Sequence, residues 1–67
     1  MRLISTINKA IGFKAKIYFD SDYDEYIVKF YDGPDHLENA DYFTSDRIDA
    51  FNTAKIELQR MIDYCVE

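Results

Sequence analysis

Two periods of apolar and polar residues run along the chain. From Phe13 to Phe19 the residues Phe13, Ala15, Ile17 and Phe19 alternate with Lys14, Lys16 and Tyr18, the period of two expected of a half-buried strand. Glu25 to Asp32 repeats the pattern, with Tyr26, Val28 and Phe30 against Ile27, Lys29 and Tyr31, in a run rich in β-branched and aromatic residues. Between them, Asp20-Ser21-Asp22-Tyr23-Asp24 is a polar turn of hairpin length, which predicts antiparallel pairing. After Ser45 the period lengthens. Phe51, Ala54, Leu58, Met61 and Cys65 recur at spacings of three and four, Ile48 and Ile62 widen the stripe, and Arg47, Asn52, Lys55, Gln59 and Asp63 turn away. This pattern predicts one long amphipathic C-terminal helix, whose apolar stripe only the preceding residues are available to cover.

The boundaries of these elements carry their own signals. Asp46 is the expected N-cap of the long helix, with Asp49 three residues on as a capping-box-like partner that also places negative charge at the positive end of the helix dipole. Leu3, Ile4, Ile7 and Ile11 stand at helical spacing ahead of Gly12, which predicts a short N-terminal helix over residues 1–11 that ends in a left-handed glycine, with Lys9 in its last turn. An extended arm is the alternative for Arg2 to Thr6. Asp32-Gly33-Pro34-Asp35 is the strongest turn signal, and a third strand is expected within Glu38 to Thr44. The sum is a single small α+β domain spanning residues 1–67. Its predicted order is α-β-β-β-α, a three-stranded antiparallel sheet with the long C-terminal helix and the short N-terminal helix on one face.

Composition narrows what such a domain does. At 67 residues the core is small, and domains of this size rarely hold more than about 3–5 kcal/mol of stability. The single cysteine, Cys65, has no internal disulfide partner and lies on the apolar stripe, where packing is the expected role; this fits a reducing compartment. Neither a signal peptide nor a membrane-length apolar run is visible, so a cytoplasmic chain without membrane contact is expected. The formal charge of −5 argues against non-specific binding to phosphate backbones, and nucleic acid is not the expected partner.

The distribution of charge says more than its sum. Residues 1–19 carry Arg2, Lys9, Lys14 and Lys16 and no acid, a balance of +4. Residues 20–49 carry ten acidic side chains against Lys29 and Arg47, a balance of −8. Loop and cap chemistry accounts for part of this, since turns and helix starts favour aspartate. The sharper reading is an acidic surface shaped for a basic site on another macromolecule, as in a nucleic-acid mimic. Its candidate contact residues are Asp20, Asp22, Asp24, Glu25, Asp32 and Asp35, joined by Tyr18 and Tyr31 on the sheet face that the helices leave open. That face is expected to carry Lys14, Lys16 and Tyr18 beside Ile27, Lys29 and Tyr31, with Tyr42 next to them. Aromatic and basic side chains on a sheet also suit single-stranded nucleic acid.

Catalytic signatures do not rise above this background. Asp20, Asp22 and Asp24 imitate the start of a calcium loop, but Glu25 stands where glycine is needed and Tyr31 where a bidentate glutamate is needed. His36 is the only histidine and is expected to face solvent near its turn; no zinc ligand set follows from it. No serine sits in a nucleophile elbow, and no carboxylate pair shows the opposed environments of acid–base catalysis. A non-enzymatic chain without cofactor or metal is expected.

The segments EYIVKFYDG (25–33) and DYFTSDRIDAFNTA (41–54) together resemble a pattern in small accessory proteins encoded by tailed bacteriophages: a strand, then a Tyr-Phe-Thr-Asp helix start with Asp-Ala and Thr-Ala pairs on the helix. More loosely, strand, cap and alanine-bearing helix are similar to the partial ribonuclease-H-like domain of HicB-type antitoxins, without that group's glycine- and proline-rich segment. The phage resemblance covers about half the chain and assigns no functional residue. It implies an accessory protein that works inside an infected cell, where small acidic phage proteins bind a host enzyme or defence complex and block it. The expected function is therefore binding and inhibition or modulation of a host protein that presents a basic surface. The alternative is a homo-oligomeric, antitoxin-like or regulatory domain, homodimeric through its strand edge or its tyrosine face. A third reading is a single-stranded nucleic-acid binder using the Tyr/Lys face.

Overall fold

A computed structural model describes residues 1–8 and 12–65, the side chain of Cys65 excepted. The elements are strands β1 (Arg2–Asn8), β2 (Phe13–Asp20), β3 (Glu25–Asp32), β4 (Asp35–His36) and β5 (Tyr42–Thr44), a 3-10 turn over Glu38–Ala40, and one helix, α1 (Arg47–Cys65). All pairings are antiparallel. The sheet runs β1-β2-β3-β4, and β5 lies along the same edge of β3 as β4, beside Tyr26 to Val28. The class is α+β as the periodicity predicts, but the sheet has five strands instead of three and the N-terminal segment is a strand.

The reason for the second difference is local. β1 pairs Leu3 with Tyr18 and then Ser5 with Ile17, so Ile4 is an extra residue, a β-bulge. The bulge shifts the alternation by one position and puts Leu3 and Ile7 on opposite faces, whereas a helix would put both on one, so the helical spacing of Leu3, Ile4 and Ile7 is divided between the two faces of a strand. The β-branched Ile4, Thr6 and Ile7 favour the strand, and pairing along β2 decides it. Gly12 does take the left-handed conformation expected of it, with φ +83°. The expected helix-end roles of Lys9 and Ile11 lie outside the described residues.

The β2–β3 hairpin pairs antiparallel, as its polar turn predicts, in a register from Phe13 opposite Asp32 to Asp20 opposite Glu25. Its turn closes with Asp24 at φ 51°, and the Asp22 backbone N–H donates to Asp20 Oδ1 at 3.0 Å. At the other end of β3, Gly33 at φ +60° reverses the chain into β4, and its N–H donates to the Gly12 carbonyl at 3.1 Å. Within Glu38 to Thr44, where a third strand is expected, Glu38–Ala40 form the 3-10 turn and only Tyr42–Thr44 (β5) is a strand, while β4 (Asp35–His36) precedes that range.

The core lies between the sheet and α1. Phe13, Ala15, Ile17, Val28 and Phe30 pack against Ala50, Ala54 and Leu58, with Phe51, Met61 and Ile62 at the margin. The two helix alanines are fully buried and let the helix backbone approach the sheet. Ile48, placed on the apolar stripe by its spacing, is instead 72% exposed, because the stripe in contact is centred on Ala50, Ala54 and Leu58. Asp46 caps the helix as expected and accepts the Ile48 N–H at 2.9 Å. Asp49 does not complete a capping box. Its carboxylate accepts the Tyr42 hydroxyl at 2.6 Å, while the Asp46 N–H donates to Thr44 Oγ1 at 3.2 Å.

Candidate functional site

Strand alternation gives the sheet a face that no described element covers. The helix side takes Phe13, Ala15, Ile17, Val28 and Phe30, so their neighbours point the other way. Read across the paired strands, that open face is banded. At the hairpin end stands an acidic row, Asp20 opposite Glu25. Next comes an apolar row of Leu3, Tyr18, Ile27 and Phe43. A basic row follows, Thr6, Lys16 and Lys29, and last a row of Asn8, Lys14, Tyr31 and His36.

The apolar row is partly dry. Ile27 is only 7% exposed although no helix lies over it, while the flanking Leu3 and Phe43 are 48% and 53% exposed. Tyr42 does not join this face. It pairs with Val28 on the helix side and donates its hydroxyl to Asp49, so Phe43 takes the open-face position expected of Tyr42. Strand phase alone could not decide between the two. The deciding contact is between a strand residue and a helix residue seven positions on.

The lysines lie over rings. Lys14 Nζ and Lys16 Nζ are 5.5 and 5.2 Å from the centre of the Tyr31 ring, and Lys29 Nζ is 5.4 Å from that of Tyr18. At an exposed site each such contact contributes about 0.5–1 kcal/mol. No carboxylate comes within ion-pair distance of these three lysines among the described residues. Burial, the neighbouring Tyr18 hydroxyl and the charge of Asp41 all push the Tyr31 phenol upward from its ordinary pKa. His36 is half-buried instead of solvent-facing: its ring stands 5.1 Å from that of Tyr31, and Nε2 lies 2.8 Å from Asp41 Oδ1.

Two cross-strand pairs on the face join like charges, Asp20 with Glu25 and Lys16 with Lys29. Directly opposed like charges destabilise a sheet, and here the cost is only partly offset within the chain, by the rings under Lys16 and Lys29 and by the Asp22 N–H donated to Asp20.

The structure divides the eight candidate contact residues between two places. Asp20, Asp22, Asp24 and Glu25 gather at the hairpin end, with Tyr18 in the adjoining row. Asp32 and Asp35 pair with each other at the far end of β3, next to Tyr31. Seven residue steps separate Glu25 from Asp32, about 23 Å at ~3.3 Å per residue, and the lysine row lies between them. A single continuous acidic patch is therefore not what the fold assembles. Leu3 and Phe43 also belong to the face: helical spacing conceals Leu3 in the sequence, and strand phase alone admits Tyr42 in the place of Phe43.

Among the described residues no group of three or more His, Cys, Asp or Glu side chains is arranged to hold a metal ion. No helix is long and apolar enough to cross a membrane. In comparisons with known proteins, no family model, curated protein or solved structure matches the chain.

Proposed function

We propose that the chain is a non-enzymatic accessory protein of the tailed-phage type, which inhibits or modulates a host protein in the host cytoplasm. It lays its hairpin end, with Tyr18 beside it, on a basic surface of that protein. The observation that carries this reading is the grouping of Asp20, Asp22, Asp24 and Glu25 at one hairpin end, without an ion-pair partner among the described residues, next to a half-exposed apolar row. Carboxylates of this kind steer a basic partner, and an adjoining apolar strip supplies area that excludes water. Asp32, Asp35 and Tyr31 form a second and smaller contact at the other end. The resemblance in residues 25–33 and 41–54 supports the phage setting.

Affinity purification of the tagged chain from bacterial lysate at low salt, compared with a variant carrying Asp20→Asn, Asp22→Asn, Asp24→Asn and Glu25→Gln, tests the reading. Expected is one stoichiometric host protein on the wild-type chain, lost from the variant while its circular dichroism spectrum is unchanged. The wild-type association rate with the purified partner should fall as salt is added, because charge pairing acts mainly on the rate of encounter. Equal capture by wild type and variant overturns the assignment.

A further inference from the structure

The bands on the open face are spaced symmetrically. Asp20 and Lys16 lie two residues on either side of Tyr18 along β2, and Glu25 and Lys29 lie two residues on either side of Ile27 along β3. The apolar row therefore runs midway between a pair of carboxylates and a pair of ammonium groups. A two-fold axis laid along that row, in the plane of the face and perpendicular to the strands, reverses strand direction and turns one face onto another. It brings each acidic pair over a basic pair.

We propose that the open face docks a second copy of this chain in this arrangement. Leu3, Tyr18, Ile27 and Phe43 of the two copies then meet in the middle. On each side, Asp20 comes opposite the second copy's Lys16, and Glu25 opposite the second copy's Lys29. Both like-charge pairs, unfavourable in the isolated chain, gain opposite charges at once, and the symmetry repeats the gain. The other two-fold axis available to stacked faces, parallel to the strands, lays carboxylate over carboxylate and is disfavoured. Aligned sheets pack about 10 Å apart with a twist of roughly −30°. The charged pairs sit on β2 and β3, near the middle of the sheet, where that twist displaces them least.

The area suits a reversible contact. A face four strands wide and four rows deep buries on the order of 1,000 Å² for the pair, close to the lower bound for a specific interface. Because opposite charges meet on both sides of the apolar row, the dimer weakens as salt rises. This proposal goes beyond the host-binding reading and needs no host protein, so the two fail separately. Self-pairing also occupies the acidic end used for a host partner, which makes the two contacts mutually exclusive.

The test is charge reversal with complementation, read by sedimentation velocity from micromolar to millimolar protein at low salt. Wild type is expected to approach twice the monomer mass. One variant carries Lys16→Glu and Lys29→Glu, a second carries Asp20→Lys and Glu25→Lys, and each alone should be monomeric, with self-affinity reduced roughly tenfold or more. An equimolar mixture of the two should dimerise again, since every acidic pair then faces a basic pair; this recovery also shows that both variants are folded. A wild type that stays monomeric throughout, variants that dimerise as well as wild type, or a mixture that stays monomeric would each overturn the proposal. Variants that dimerise unchanged would point to the β1 edge instead.

Discussion

At the scale of single residues, the hydrogen bond from Tyr42 to Asp49 has the clearest measurable consequence. It fastens β5 to the first turn of α1. The bond from Tyr42, helped by Thr44, holds the Asp49 carboxyl below its ordinary pKa, and the same bond to Asp49 holds the Tyr42 phenol above its own. The signs follow by linkage. The stability linked to Asp49 is fully present above the unfolded aspartate value of about 3.9 and is lost as pH falls through the lowered folded value. That linked to Tyr42 is fully present below the unfolded tyrosine value of about 10 and is lost as pH rises through the raised one. Tyr42→Phe should melt below wild type near neutral pH, and the difference should shrink on both the acid and the alkaline side. Thermal denaturation across pH checks this; a difference independent of pH would mean that the bond carries no linked stability.

At the scale of elements, the helix is held by a narrow contact. Ala50, Ala54 and Leu58 are fully buried, while Ile56 is 53% exposed on the same helix. Leu58→Ala removes a large side chain from the centre of the contact and should cost about 2–5 kcal/mol, comparable to the whole stability expected of so small a core. Ile56→Ala should stay within about 0.5 kcal/mol of wild type. Urea denaturation distinguishes them: Leu58→Ala should be largely unfolded without denaturant, and equal midpoints would contradict the packing described.

The same elements show what the chain disclosed in advance. β2, β3 and α1 are legible because each repeats its period several times, and the alternation within each strand assigns Lys14, Lys16, Tyr18, Ile27, Lys29 and Tyr31 to one face, which the observed register brings together. β1 is legible only as the extended alternative for Arg2 to Thr6, because its apolar residues, divided between two faces by the bulge, stand at helical spacing. β4 and β5 are too short to show any period, and only a contact with the helix turns Tyr42 inward. The acidic residues were identifiable one by one. Their division between opposite ends of β3 depends on where the hairpin turns fall relative to the strands.

At the scale of the whole molecule, charge acts in opposite directions on folding and on binding. The chain carries −5 overall, and Asp20 with Glu25, Lys16 with Lys29 and Asp32 with Asp35 are like-charge neighbours across strands. Screening relieves this repulsion, since the Debye length shrinks from about 10 Å at 0.1 M salt to about 3 Å at 1 M. At protein concentrations too low for self-association, Tm should therefore rise with sodium chloride by about 2–6 °C. Association through the hairpin end should weaken over the same range. Calorimetry at low protein concentration tests the first; a Tm that falls with salt would mean that attractive ion pairs dominate the fold.

The bulge at Ile4 bears on a hazard that any sheet with a free margin faces. Among the described residues β1 is hydrogen-bonded to β2 alone, and an uninterrupted outer strand is a template on which further chains can add without limit. The extra residue breaks the regular spacing of backbone donors and acceptors between Leu3 and Ser5 and increases the local twist. An incoming strand would find continuous partners only along the short stretch beyond Ser5. The irregularity that disguises β1 as a helix in the sequence thus also interrupts the template that this edge offers, and it does so with neither proline nor a charged residue at that point.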